Sequence, residues 1–156
     1  MKINYKKLLL SLAIPLTVGG LSALASGGFS DSYSELVQPP FAPPGWVFPV
    51  VWTILYILMG ISLYRILTAP VAPREKRFPV ILFGVQLLLN FLWPILFFRL
   101  EMRLSAFFLL LLLWIFILLT IRFFSRIDEK AGDLLLPYIL WVTFAGYLNL
   151  GVFLLN

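Results

Sequence analysis

The sequence predicts an all-α integral membrane protein: a bundle of five transmembrane helices, N-terminus cytoplasmic and C-terminus outside. Three observations carry that prediction. The 156 residues are 62% hydrophobic and 12% charged, whereas a soluble domain is roughly 45–50% apolar and about 25% charged. With a mean hydropathy of +1.00, the excess apolar side chains need lipid as part of their solvent. Five apolar segments also reach the roughly 20 helical residues that cross a bilayer core about 30 Å thick. Finally, Lys and Arg gather at one set of segment ends. No long polar stretch separates the spans, so residues 1–156 read as one domain.

The first span runs from about Leu8 to Ser26. Pro15 lies inside it and invites a kink, and Gly19, Gly20 and Ala23 suit close helix contact in lipid. The same stretch also resembles a secretory signal, with Lys6 and Lys7, an apolar run and Ala23-Leu24-Ala25. Cleavage would leave four spans in the same orientation, and the retained span is the preferred reading. Residues 27–46 form the longest connection. Its Pro39, Pro40, Pro43 and Pro44 keep it stiff and extended.

The second span covers about Val47 to Leu67 and the third about Phe78 to Phe98. Pro49 and Pro79 fall in their first turns, where a missing N–H is harmless, and Pro94 interrupts the third. The fourth span, about Leu104 to Phe124, contains the leucine run Leu109 to Leu113. The fifth runs from about Leu134 to Leu155, with Pro137 near its start. The short later loops predict that consecutive helices are antiparallel neighbours.

Orientation follows from the flanks. One side carries Lys2, Lys6, Lys7, Arg65, Arg74, Lys76, Arg77, Arg122, Arg126 and Lys130; the other carries only Arg99 and Arg103. The long loop on that second side holds Asp31 and Glu35. Positive charge concentrates on the cytoplasmic side of membrane proteins. The net charge of +5 is thereby explained without nucleic acid, since no basic stripe is interleaved with exposed aromatics.

Composition excludes much chemistry. The chain has no cysteine and no histidine, which removes disulfides, thiolate or imidazole metal sites, the usual haem ligands and His-based triads. No metal site and no covalent cofactor is expected. Every Asp, Glu, Lys and Arg lies at a span end or in a loop, which argues against a proton-coupled pump or ion channel. Inverted repeats of the secondary-transporter kind are not evident.

What remains at membrane depth is aromatic or amide. Trp52, Tyr56 and Met59 share one helical face of the second span. Gln86, Asn90, Trp93 and Phe97 make a stripe on the third; Trp141, Ala145, Leu148 and Asn149 make another on the fifth. Two readings of these stripes stand. They line one ligand cavity, apolar with sparse polar groups, or the indoles anchor at interfaces and the amides bridge helices. Trp114, without polar neighbours in sequence, reads as packing or lipid-facing, and Trp46 as an interfacial anchor. Gly84 joins Gly19, Gly20 and Ala23 as a small residue for helix contact within a bundle or in a homodimer.

Three blocks carry a family resemblance: Pro39 to Gly60 (PPFAPPGWVFPVVWTILYILMG), Gln86 to Phe98 (QLLLNFLWPILFF) and Pro137 to Asn149 (PYILWVTFAGYLN). In this order and context the chain resembles the TspO/translocator protein family of tryptophan-rich sensory proteins. The resemblance implies a five-helix bundle with a pocket beneath the first loop, binding porphyrins such as protoporphyrin IX and benzodiazepine-type ligands. Trp52, Asn90, Trp93, Trp141 and Ala145 match the family's pocket, with Pro43, Pro44 and Trp46 at its lid. Trp52 and Trp141 match the residues tied to light-dependent porphyrin degradation. Animal members follow the third block's asparagine with tyrosine and a basic residue; here Leu150 follows Asn149 and no Lys or Arg comes after it, so a sterol contact of that kind is not implied. A bacterial plasma membrane is the expected location. A porphyrin receptor leads, with a porphyrin or small-molecule exporter as the alternative.

Overall fold

The computed structural model describes residues 2–27 and 33–156; residues 28–32 of the long loop, Asp31 among them, lie outside that description. Among the described residues five helices are long and apolar enough to cross a membrane: α1 Tyr5–Ala25, α2 Val47–Leu67, α3 Pro73–Pro94, α4 Arg103–Ile127 and α5 Leu136–Leu155. A π-helical turn, Ile95–Arg99, continues α3, and a single helical turn, Glu129–Asp133, leads from α4 into α5. The all-α bundle of five membrane-spanning helices read from the sequence is the fold observed.

Local chemistry sets the ends. The Asn4 side chain caps α1, accepting from the Lys7 N–H at 3.1 Å. Pro73 at the first turn of α3 and the Glu75 carboxylate, which accepts from the Ala72 N–H at 2.9 Å, start that helix in polar sequence ahead of its apolar run. That is why α3 begins before Phe78. Helix α1 passes through Pro15 without a break, but Pro94 changes the ladder. The Ile95 N–H turns to the Leu92 carbonyl, and the chain goes on in π register, with the Leu100 N–H on the Ile95 carbonyl at 2.9 Å. The Phe91 carbonyl this leaves accepts from the Ser22 hydroxyl of α1 at 2.8 Å. A neighbouring helix thus satisfies a backbone group that lipid would leave bare.

Packing corrects one expectation. Helices α1/α2, α3/α4 and α4/α5 are neighbours, but α2 and α3 barely touch, because α1 packs on both. Small residues permit the insertion. Gly60 of α2 meets the Leu12 backbone, where a Cβ would come within 2.7 Å of Leu12 Cα, and any side chain at Gly19 would overlap the Tyr56 ring. Helices α2 and α5 face each other through large side chains, Trp52 against Tyr138 and Phe48 against Trp141. The core then runs the length of the bundle. Its half nearest the Lys/Arg-rich ends is built on Leu63, Ile66, Phe83, Ile117 and Phe124, with the small hydroxyls of Ser11, Ser62 and Thr120 as its buried polar side chains.

Candidate functional site

The three sequence stripes all turn inward. Trp52, Tyr56 and Met59 of α2 are buried, as are Gln86, Asn90, Trp93 and Phe97 on α3 and its π turn. On α5, Ala145, Leu148 and Asn149 are buried and Trp141 is partly so.

Their polar atoms form two groups. In the first, the Tyr56 hydroxyl donates to Asn90 Oδ1 at 2.8 Å, and Asn90 Nδ2 donates to the Tyr138 hydroxyl at 2.7 Å. Tyr138 in turn donates to Gln86 Oε1 at 2.6 Å. This chain ties α2, α3 and α5 together at the middle of the bundle, with Tyr138 as its hub. In the second, Trp93 Nε1 donates to Asn149 Oδ1 at 2.9 Å, while Asn149 Nδ2 donates to the Arg103 carbonyl at 2.8 Å at the start of α4. Two donors are left over. Gln86 Nε2 and Trp141 Nε1 are buried and have no protein acceptor among the described residues. In a bilayer interior such groups are expensive, about 1–3 kcal/mol each.

Aromatic rings continue the site towards the loop. Trp52 stacks on Tyr56 with centroids 5.6 Å apart. Trp141 meets Phe48 edge-on at 5.8 Å, and Phe48 meets Tyr33 of the loop at 4.7 Å. Tyr33 is 3% exposed, and burial raises its pKa, keeping the phenol neutral. The loop is tied to the end of α5. The Tyr147 hydroxyl donates to the Pro40 carbonyl at 2.7 Å, and Gly151 leaves room for the Pro39 ring. Asn156 pairs reciprocally with Val37, accepting from its N–H at 3.1 Å and donating to its carbonyl at 2.8 Å.

The expected single cavity is two separate spaces. One, about 20 Å³, lies under the loop between Tyr33, Phe48, Trp93, Phe97, Ala145 and Asn149. The other, about 180 Å³, opens between α1 and α2, with Gly19, Gly20, Trp52, Tyr56, Asn90 and Pro94 in its wall. Tyr56, Asn90 and Tyr138 bond across the middle, and that partition keeps the two apart. Gln86, Trp141, Pro43 and Pro44 border neither space, and Trp46 is 68% exposed beside the loop. Trp114 packs α4 on α5 and adds a polar contact that its apolar sequence neighbours did not suggest, donating to Thr143 Oγ1 of α5 at 2.9 Å.

Sequence reasoning missed Tyr138, Phe48 and Tyr33 as site residues. The first two carried a signal. Tyr138 extends the Trp141 stripe one turn back, and Phe48 precedes Trp52 by four residues. Tyr33, in a loop without periodicity, carried none.

A multi-pass membrane bundle whose interior is tryptophan, tyrosine and amide under a proline-rich loop is a narrow class of protein. The chain belongs to the TspO/MBR family, whose profile matches residues 11–155. It is 44% identical over 124 residues to a tryptophan-rich protein TspO of Chlorobaculum tepidum, covering 80% of this chain and 78% of that one. A tryptophan-rich protein TspO of Archaeoglobus fulgidus is 38% identical over 154 residues, 98% of this chain and 99% of its own. The translocator protein of Bos taurus is 36% identical over 118 residues, 75% and 70% respectively.

Proposed function

We propose that this protein is a membrane receptor for flat aromatic ligands of the porphyrin class, and for benzodiazepine-type ligands of similar shape, held among Trp52, Trp93 and Trp141. The two leftover donors carry the reading. Gln86 Nε2, beside the Tyr138 phenol, and Trp141 Nε1, beside the Phe48 ring, are buried without acceptors among the described residues. They border neither space as it stands and would meet a planar ligand with a few acceptor atoms once the site opens. Stacking and burial of ring area would supply affinity at roughly 25 cal/mol per Å² before ordering losses.

Ligands of this size occupy roughly 300–1,000 Å³, more than the spaces of about 20 and 180 Å³ provide. The proposal therefore includes an opening step, in which the loop ties at Pro40 and Val37 release and α1 moves off α2. Iron adds little where no His or Cys exists, so metal-free porphyrin binds about as well as haem. Light-driven degradation belongs to the same site, with Trp52 and Trp141 as electron partners; without acid–base groups among the stripes, turnover in the dark is not expected. Transport remains the alternative role. The proposed setting is a bacterial plasma membrane, N-terminus cytoplasmic, with the chain as a homodimer.

The test is a dark titration with protoporphyrin IX following tryptophan fluorescence, then illumination following porphyrin absorbance, with Trp52→Phe/Trp141→Phe in parallel. Saturable quenching is expected, with light-driven loss only in the unsubstituted protein. Quenching that never saturates would remove the receptor reading. Equal bleaching in both proteins would remove the photochemistry and leave the receptor.

A further inference from the structure

At the end of the bundle richest in Lys and Arg, a cleft of about 760 Å³ opens between the start of α1, the last turns of α2 and the α4–α5 junction. Its floor is apolar, with Leu8, Ile61 and Ile127. A second cleft of about 420 Å³, walled by Leu58, Leu134 and Pro137, adjoins it and shares Ile61 and Arg65. Ile61 is thus a ridge shared by the apolar walls of the two clefts.

The rim carries charge in balance. Arg65 and Asp128 neutralise each other, Nε to Oδ2 at 2.7 Å and Nη2 to Oδ1 at 3.2 Å. Lys2 and Glu129 border the larger cleft too, and neither has an ion-pair partner among the described residues. The Tyr64 hydroxyl accepts from the Asn4 N–H at 3.0 Å, and its own proton has no acceptor among the described residues. Lys130 and Asp133 border the smaller cleft. Among the described residues, one free cation, Lys2, one free anion, Glu129, and the Tyr64 hydroxyl proton stand over the larger one.

We propose that this cleft is a specific site for an aminophospholipid, a two-chain lipid whose headgroup joins a phosphate to a primary ammonium. Lys2 and Tyr64 hold the phosphate, Glu129 accepts from the ammonium, and the two acyl chains straddle Ile61. A quaternary ammonium has no N–H to give Glu129, and a purely anionic headgroup brings negative charge against it. The lipid bridges α1 to α2, and α1 is the span with the smallest buried share, 22%.

The test is native mass spectrometry of the detergent-solubilised protein titrated with phosphatidylethanolamine, phosphatidylcholine and phosphatidylglycerol of matched chains. One phosphatidylethanolamine is retained, preferred roughly fivefold, the worth of one charge-assisted contact at a partly exposed rim. Glu129→Gln erases the preference over phosphatidylglycerol, weakening phosphatidylethanolamine and strengthening phosphatidylglycerol; Lys2→Gln weakens both lipids. Glu101→Gln, at the opposite end of the bundle, changes neither. Equal retention of the three lipids, or an unchanged preference in Glu129→Gln, overturns the proposal. So does displacement by the soluble headgroup glycerophosphoethanolamine at the lipid's own concentration, because the apolar walls would then contribute nothing.

Discussion

The two halves of this bundle bury their residues by different rules. In the half nearest the Lys/Arg-rich ends, Phe83 stacks on Phe124 at 5.8 Å and the surrounding Ile66, Leu113 and Ile117 leave no polar side-chain atom to satisfy. Its buried polar groups are small hydroxyls: Ser62 donates to the Ala131 carbonyl at 2.7 Å, and Thr120 donates to the Phe116 carbonyl at 2.7 Å. Ser11 Oγ has no partner among the described residues, while Arg65 pairs with Asp128 at the rim. The other half buries Gln86, Asn90, Asn149 and the hydrogen-bonded Tyr56, Trp93 and Tyr138. Among the described residues it leaves the donors of Gln86 and Trp141 unpaired, with Tyr33 Oη and Arg103 Nε also unpaired towards its end. The first half is what stability alone selects. The second accepts expensive buried polarity, so its composition points to a ligand.

Stability and binding should therefore separate along the bundle. The largest stability loss is expected at Phe124, fully buried and stacked. Phe124→Ala should lower unfolding free energy by about 3–5 kcal/mol, read by denaturant titration in micelles, with porphyrin affinity kept in the folded fraction. A matching fall in affinity would break the division into halves. Tyr138→Phe comes next. It strips the donor from Gln86 Oε1 and the acceptor from Asn90 Nδ2, leaving two buried amides short of partners at about 2–3 kcal/mol together. Unlike Phe124→Ala it should also change porphyrin affinity, because it breaks the partition between the two spaces. Loss of stability with affinity untouched would make the network a brace alone.

These halves were unequally legible in the sequence. The five spans followed from length and hydropathy, and the inward stripes from a period near 3.6, because a lone amide or indole stands out in leucine-rich sequence. Phe83 and Phe124 offered no such contrast among apolar neighbours, so the packed half had no readable partners. The insertion of α1 between α2 and α3 rests on Gly19 meeting Tyr56 and Gly60 meeting Leu12; small residues announce close approach without naming the partner. The ties of Val37 to Asn156 and Pro40 to Tyr147 join residues 119 and 107 apart, beyond any local pattern. The partition that splits the cavity depends on side-chain reach across three helices, and periodicity is silent about that.

The loop ties give a smaller effect in a rate. Asn156→Ala removes both bonds to Val37, exposed and worth about 1 kcal/mol in sum. Stability should hardly change, but porphyrin association in stopped-flow should quicken roughly fivefold, the equivalent of that energy, if loop release limits entry. An unchanged association rate would place entry elsewhere, with the gap between α1 and α2 at Gly20 next in line.

The smallest effect belongs to the pair outside both interiors. Trp114 donates to Thr143, which donates to the Ile139 carbonyl at 2.8 Å, and Thr143 faces outward. Helix–helix hydrogen bonds in bilayers average about 0.6 kcal/mol, because the separated helices find other partners. Trp114→Phe keeps most of the ring and should lose about that much stability, with porphyrin binding unchanged. Thr143 already has a backbone acceptor, so little is left unpaired, and this is where Trp114 differs from Tyr138. A loss near that of Tyr138→Phe would mean that polar pairs at the lipid surface brace the bundle as strongly as those within, and the buried amides would then no longer need a ligand to explain them.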